Sequence, residues 1–192
     1  MICTILELRR YTLHPGARDA LIDLFDRELV ETQEAVGMAV LGQFRDLDDP
    51  DAFVWLRGFP DLEARRRGLE AFYGGPVWAE HRAAANATML DSDDVLLLRA
   101  ATPMKHEPRR RATRSDAPVV TLTVHHFQRG AALDPPAGAW VTEHARNDFP
   151  ALPVREDAEV LVTLGNRPDP APEAARRTET FRLSPTSRSL LP

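Results

Sequence analysis

The stretch "FVWLRGFPDLEARRRGLEAFYGGPVWAEHR", Phe53 to Arg82, decides the fold. Its opening "FVWLRGF" has the length and the aromatic and β-branched content of a strand. Pro60-Asp61 then opens a helix to Tyr73, with Leu62, Leu69 and Phe72 as its apolar positions. Gly74-Gly75 breaks that helix. Pro76 starts the next one, at the position where its missing N–H costs nothing. Strand side chains alternate between faces. Phe53, Trp55, Arg57 and Phe59 therefore share one face, and Val54, Leu56 and Gly58 share the other.

Working outward, "ICTILELRRYTL" (Ile2 to Leu13) reads as a strand with Thr4, Leu6 and Leu8 on one face. Ile5, Glu7, Arg9 and Tyr11 lie on its other face. Leu21, Ile22, Phe25 and Leu29 recur at helical spacing between Ala17 and Val36, and Gly37 follows where a left-handed C-cap belongs. "MAVLGQFRD" is a second strand, joined to the third by the short acidic turn "DLDDPD". "DSDD" leads into a fourth strand, Val95 to Arg99. Strand, helix, strand, strand, helical region, strand is the split-βαβ, ferredoxin-like order.

The pattern then begins again. "PVVTLTVHHFQRG" aligns without gaps on "TILELRRYTLHPG", placing Leu122 on Leu6, Val124 on Leu8, His125 on Arg9 and Phe127 on Tyr11. A helix is expected over residues 139–149. "AEVLVTLGNRPD" matches "DAFVWLRGFPD" in pattern, the next helical region shrinks to "PAPEAARR", and "TETFRLSPTSRSLL" supplies a last strand and tail. The expected organisation is a ferredoxin-like repeat over 1–101, a linker over 102–117 containing the basic run "RRR", and a degenerate second repeat over 118–192. The expected class is α+β: tandem ferredoxin-like repeats pairing their sheets into a dimeric-type α+β barrel.

The chain has 192 residues, 43% of them hydrophobic, with a net charge of −5. That suits a sizeable core and argues against global disorder. No apolar run is long enough to cross a bilayer, and the N-terminus does not read as a signal peptide, so no membrane and a cytosolic location are expected. The basic cluster near "KHEPRRRATR" lacks the aromatic faces that nucleic acid would stack on, so no nucleic-acid partner is expected. The single cysteine, Cys3, excludes an internal disulfide and reads as a small core residue.

The face carrying Glu7, Arg9, Tyr11, Trp55 and Arg57 mixes aromatics with charges, and it needs a cover. Each aromatic buried contributes about 1.5–3 kcal/mol. The second sheet is the expected cover, which would put these side chains between the sheets and Val54 and Leu56 under the helices. Arg57 then needs an anionic partner: Glu7, Glu143 or a ligand. Arg9, Trp55, Arg57 and Phe127 are the candidate ligand-binding residues. His125, Glu7 and Tyr11 are the candidates for acid–base work. His125 and His126 are neighbours on a strand, point to opposite faces and cannot share one metal ion. No phosphate-binding glycine loop, dinucleotide fingerprint or nucleophile elbow is present. Neither metal nor cofactor is expected.

The stretches "ELRRYTLHPGARDALIDLF", "GMAVLGQFRD", "FVWLRGFPDLEARRRGLEAFYGGPVWAEHR" and "DSDDVLLLR" together resemble the NIPSNAP family, and "RLSPTSRSLL" looks like the end of its two-repeat members. The resemblance implies a ferredoxin-like sheet paired into a barrel and no established activity. The barrel class includes cofactor-independent monooxygenases and isomerases. Two functions are therefore expected in competition. One is a cofactor-independent oxygenase or isomerase acting on a small hydrophobic, anionic molecule. The other is a non-catalytic binding or scaffolding protein with a filled barrel. A homodimer of two-repeat chains is expected in either case.

Overall fold

The computed structural model describes residues 1–107 and 118–191. Strand β1 (Ile2–Leu13) leads into α1 (Arg18–Leu24), a π-helical segment (Phe25–Leu29) and α2 (Val30–Ala35). Strands β2 (Ala39–Asp46) and β3 (Ala52–Phe59) follow, then α3 (Leu62–Tyr73), α4 (Pro76–Asn86) and the long β4 (Met89–Lys105). The remainder carries β5 (Val120–His126), β6 (Trp140–Thr142), β7 (Val160–Gly165) and β8 (Arg177–Pro185). Local signals set these boundaries. Gly37 adopts φ +85 just after α2. The Asp61 side chain accepts from the backbone N–H of Ala64 at 2.7 Å and caps α3. Pro76 occupies the first turn of α4.

The strands close into one antiparallel barrel in the order β1-β3-β2-β8-β5-β7-β6-β4. Within it, β4-β1-β3-β2 and β8-β5-β7-β6 are the two four-strand groups, and their outer strands join through the β2–β8 and β4–β6 pairs. The groups meet edge to edge, which leaves no unpaired sheet edge around the barrel.

Closure reverses the expected polarity of the faces. Leu6, Leu8, Val54, Leu56, Leu96, Leu98, Leu122, Val124, Val160, Val162 and Leu183 form one buried cluster inside the barrel. Phe53, Trp55, Phe59 and Tyr11 belong to a second cluster outside it, under the helices. The expectation that Trp55 and Arg57 face the second sheet is therefore corrected: Val54 and Leu56 do. The interior of an eight-stranded barrel is only wide enough for side chains to fill it. Aliphatic and aromatic side chains fill that space, Phe44 and Trp140 among them, whereas Glu7, Arg9 and Arg57 carry charges that an apolar interior cannot solvate. Beside Leu8, Val54 and Leu122 the interior leaves voids of only about 10 and 30 Å³. Gly58 is part of that fit. A Cβ there would lie 2.9 Å from Cys3 Cβ, Cys3 Sγ and Leu41 Cδ1. Cys3 itself is fully buried, and burial pushes its thiol up to about 11, as befits an inert core residue.

Two further expectations change. Residues 139–149 form no helix: Trp140–Thr142 is strand β6, and no helix occurs after β4 among the described residues. Pro135 and Pro136 precede this stretch, Gly138 adopts φ +84, and Pro150 and Pro153 follow, so only the β-branched centre keeps regular structure. The fourth strand starts at Met89 and runs on through Lys105, pairing Met104 with Cys3 and Lys105 with Ile2, into the segment read as linker. The "RRR" run at 109–111 lies outside the described residues.

Candidate ligand site beneath the helices

Glu7 and Arg57 stand opposite one another on β1 and β3, on the face that α1–α4 cover. Alternation brings Arg9 and Tyr11 to the same face from β1, and Trp55 and Phe59 from β3. The seventh participant comes from a helix. Arg65 lies on the buried side of α3 with Leu69 and Phe72.

These groups form one network. Glu7 Oε2 accepts from Arg9 Nη1 and from Arg57 Nε, both at 2.8 Å, and Oε1 accepts from Arg65 Nε at 2.7 Å. All three arginines and Glu7 are essentially without solvent contact. Burial alone would raise the pKa of Glu7 and suppress its ionisation. The guanidiniums of Arg57, Arg9 and Arg65 outweigh it and hold the carboxyl well below the usual range. The Arg9 Nε donates to the Tyr11 hydroxyl at 2.9 Å, and Arg57 Nη1 reaches Gln33 Oε1 at 3.3 Å and the Tyr73 hydroxyl at 3.4 Å. Arg65 also donates from Nη1 to Asp148 at 2.7 Å and from Nη2 to Asn147 at 3.1 Å.

Aromatic rings pack around the cations. The Arg57 guanidinium carbon lies 5.1 Å from the Trp55 ring centre and 5.8 Å from that of Tyr73. The Arg9 carbon lies 5.7 Å from Trp55. Trp55 and Arg57 are thus adjacent because each desolvates the other: the ring face offers negative charge density where water has been excluded. Next to this layer is a cavity of about 30 Å³, whose wall includes Tyr11, Phe25, Gln33, Trp55, Tyr73 and Trp78. The arginines sit one layer behind the wall and reach it through Tyr11, Tyr73 and Gln33. Burial pushes the Tyr11 hydroxyl up, against the opposing pull of Arg9, so it is a neutral phenol at ordinary pH. The Trp55 indole Nε1 is buried with no acceptor among the described residues.

Of the residues singled out from sequence, Glu7, Arg9, Tyr11, Trp55 and Arg57 come together here. His125 and Phe127 do not. Strand β5 stands four strand steps from β1 in either direction around the barrel, on its far side. His125 is buried there with Nδ1 2.9 Å from Thr178 Oγ1, its basicity lowered by that burial. Phe127 packs in a small cluster with Leu133 and Val141. Glu143, weighed as a partner for Arg57, instead lies 3.5 Å from Arg99. Among the described residues, no group of three or more His, Cys, Asp or Glu side chains could hold a metal ion. No helix among them is long and apolar enough to cross a membrane.

Arg65, Gln33, Tyr73 and Asp148 escaped the sequence reading. Arg65 was legible in principle. It falls between Leu62 and Leu69 on the apolar stripe of its helix, and an arginine there must find a buried anion.

The family model described as NIPSNAP matches residues 6–103. The chain belongs to the NIPSNAP family. Among solved structures, a NIPSNAP-like domain protein from Burkholderia xenovorans is 27% identical over 55% of this chain and 90% of its own, with a TM-score of 0.46. A putative monooxygenase from Lactobacillus acidophilus matches 97% of each chain at 11% identity, with a TM-score of 0.56. Another from Fusobacterium nucleatum matches 97% of this chain and 95% of its own at 9% identity, with a TM-score of 0.57. These last two share the fold of the whole NIPSNAP-family chain. No curated protein matches it.

Proposed function

We propose that this NIPSNAP-family chain binds a small planar molecule, in its phenolate or enolate form, in the cavity beneath α3 and α4. One observation carries the reading. Two phenols on the cavity wall, Tyr11 and Tyr73, each accept from a buried arginine, which leaves each O–H free to donate inward. The unpaired Trp55 N–H adds a third donor at the wall. Behind them stand three guanidiniums against one buried carboxylate. Donors fixed in a dry site and backed by positive charge are complementary to an oxyanion. In this reading Tyr11 donates the hydrogen bond, Trp55 is the wall, Arg9 and Arg57 supply the field, and Glu7 is their counter-ion. His125 and Phe127 take no part.

A stabilised phenolate or enolate is the reactive species of isomerisation and of oxygenation by dioxygen without a cofactor. The two whole-chain structural matches described as putative monooxygenases agree with the second, as fold-level analogy. The cavity wall holds no side chain suited to act as base near neutral pH, so the substrate ionises by its own acidity. The packed barrel interior and the small cavity favour a second reading, non-catalytic capture of the same anion. The strand order, β4-β1-β3-β2 against β8-β5-β7-β6, supports reading the chain as two ferredoxin-like repeats. Self-association of such chains belongs to the same proposal and is read by light scattering.

The test uses para-nitrophenol, whose ionised form absorbs separately from its neutral form. Binding quenches tryptophan emission and shifts the bound phenol toward phenolate. Tyr11→Phe and Tyr73→Phe each weaken binding about tenfold, the effect of one hydrogen bond to a charged group. Dioxygen uptake with hydroquinones then separates oxygenase from carrier. Unchanged affinity in both variants would overturn the cavity as the site.

A further inference from the structure

The cavity of about 30 Å³ compares with about 10–15 Å³ for a single water, so no aromatic ring enters unless a wall moves. Strands β1 and β3 form the rigid floor. The movable cover comes from the other half of the chain. Between β6 and β7 the backbone leaves the second strand group and crosses onto α3. Asn147 and Asp148 take the outer nitrogens of Arg65. Phe149 stacks on Tyr73 with ring centres 5.9 Å apart and planes 30° apart. Leu152 and Val154 pack on the same apolar cluster as the cavity wall. Backbone bonds tie both ends down: Glu143 N–H donates to Leu97 at 2.9 Å, and Arg155 N–H to Val95 at 2.8 Å. Between those ties, the strap has no helix or strand.

Its charge is informative. Arg65 is fully buried, whereas its partner Asp148 keeps 31% of its side chain in solvent. Arg65 gives Nε to Glu7 and turns its other two nitrogens outward, to Asp148 and Asn147. That two-nitrogen edge is the geometry a carboxylate accepts with both oxygens. Tyr73 joins the two places: it lines the cavity, and its ring carries Phe149, the chain neighbour of Asp148.

We infer that Asp148 holds the place of a ligand carboxylate. The ligand class is a phenol or enol ring bearing a short acidic side chain. The ring lies against Tyr11 and Trp55, and the tail carboxylate replaces Asp148 on Arg65 as Phe149 lifts from Tyr73. The inference rests on the cavity reading above and adds to it the tail and the strap.

The experiment compares para-nitrophenol, which has no tail, with ortho-nitrated para-hydroxyphenylacetate, which has one, on wild type, Asp148→Asn, Asp148→Ser and Asp148→Glu. Thermal melts confirm that each variant folds, and two neutral replacements guard against one failing. Removing the competing carboxylate in either neutral variant tightens the tailed probe about tenfold or more and changes para-nitrophenol less than about twofold. Asp148→Glu keeps the wild-type preference. Equal effects on both probes, or none on either, would overturn the subsite while leaving the cavity reading intact. If para-nitrophenol binds no variant, the cavity reading fails and the subsite falls with it.

Discussion

Glu7 and Arg57 face each other across the β1–β3 ladder, and Arg57 Nε donates to Glu7 Oε2 at 2.8 Å with neither side chain in contact with solvent. Arg9 and Arg65 converge on the same carboxylate, so its removal leaves three buried cations without their shared anion. Glu7→Gln is expected to cost about 3–5 kcal/mol, the usual penalty for breaking a buried pair from one side. Urea unfolding measures it, and a loss under about 1 kcal/mol would mean that water reaches the cluster.

The same carboxyl sets an acid limit. Its folded ionisation lies far below the ordinary 4.5, so the unfolded chain binds the extra proton first. Stability from Glu7 is thus complete above about pH 4.5 and drains away as the pH falls below it. Wild type should lose stability steeply from that point downward, and Glu7→Gln should flatten this part of the curve.

Asp26, in the π-helical segment, behaves in the opposite sense. Burial raises it from 3.8 to about 6, although Arg188 pulls the other way. The folded protein therefore holds a proton that the unfolded chain has released, and stability falls as the pH climbs from about 4 through 6. Asp26→Asn, which keeps an acceptor for Gln43 Nε2, is expected to raise the melting temperature at pH 7 and to leave it near wild type at pH 4. Parallel melting curves at the two pH values would contradict the assignment.

Gly58 tests the barrel interior. Gly58→Ala forces a methyl against the Cβ of Cys3, which cannot swing away, and is expected to cost about 1–3 kcal/mol. Gly58→Ala combined with Cys3→Gly should recover part of that loss, since the two positions share one space. Strict additivity in the double mutant would place the clash elsewhere.

Much of this was legible from the first hundred residues. The strand, helix and turn positions follow from Gly37, Asp61, Gly74-Gly75 and Pro76, and alternation sorted Glu7, Arg9, Tyr11, Trp55 and Arg57 onto one face. What alternation cannot decide is which face lies inside. It divides residues into two sets, and the choice between them depended on the apolar interior that closure creates, a property of all eight strands together. Arg65 hid inside the run "EARRRGL", where two of three arginines are on the exposed side of α3 and pair with Glu63 and Glu70. Asp148 and Phe149 were invisible for another reason: they reach α3 from a part of the chain more than seventy positions away, by a strap whose path no local pattern encodes.

The strands that close the barrel, β2 against β8 and β4 against β6, belong to one polypeptide. Closure is therefore a first-order event, indifferent to dilution, as it would not be for two separate chains meeting. A covalent link also removes the obligation of symmetry. In a homodimer every substitution appears on both sides at once. Among the described residues, helices lie over one strand group and not over the other, and the segment between β6 and β7 serves the opposite group instead. A substitution on one side of the ring need not be repeated on the other, so the two sides are free to specialise.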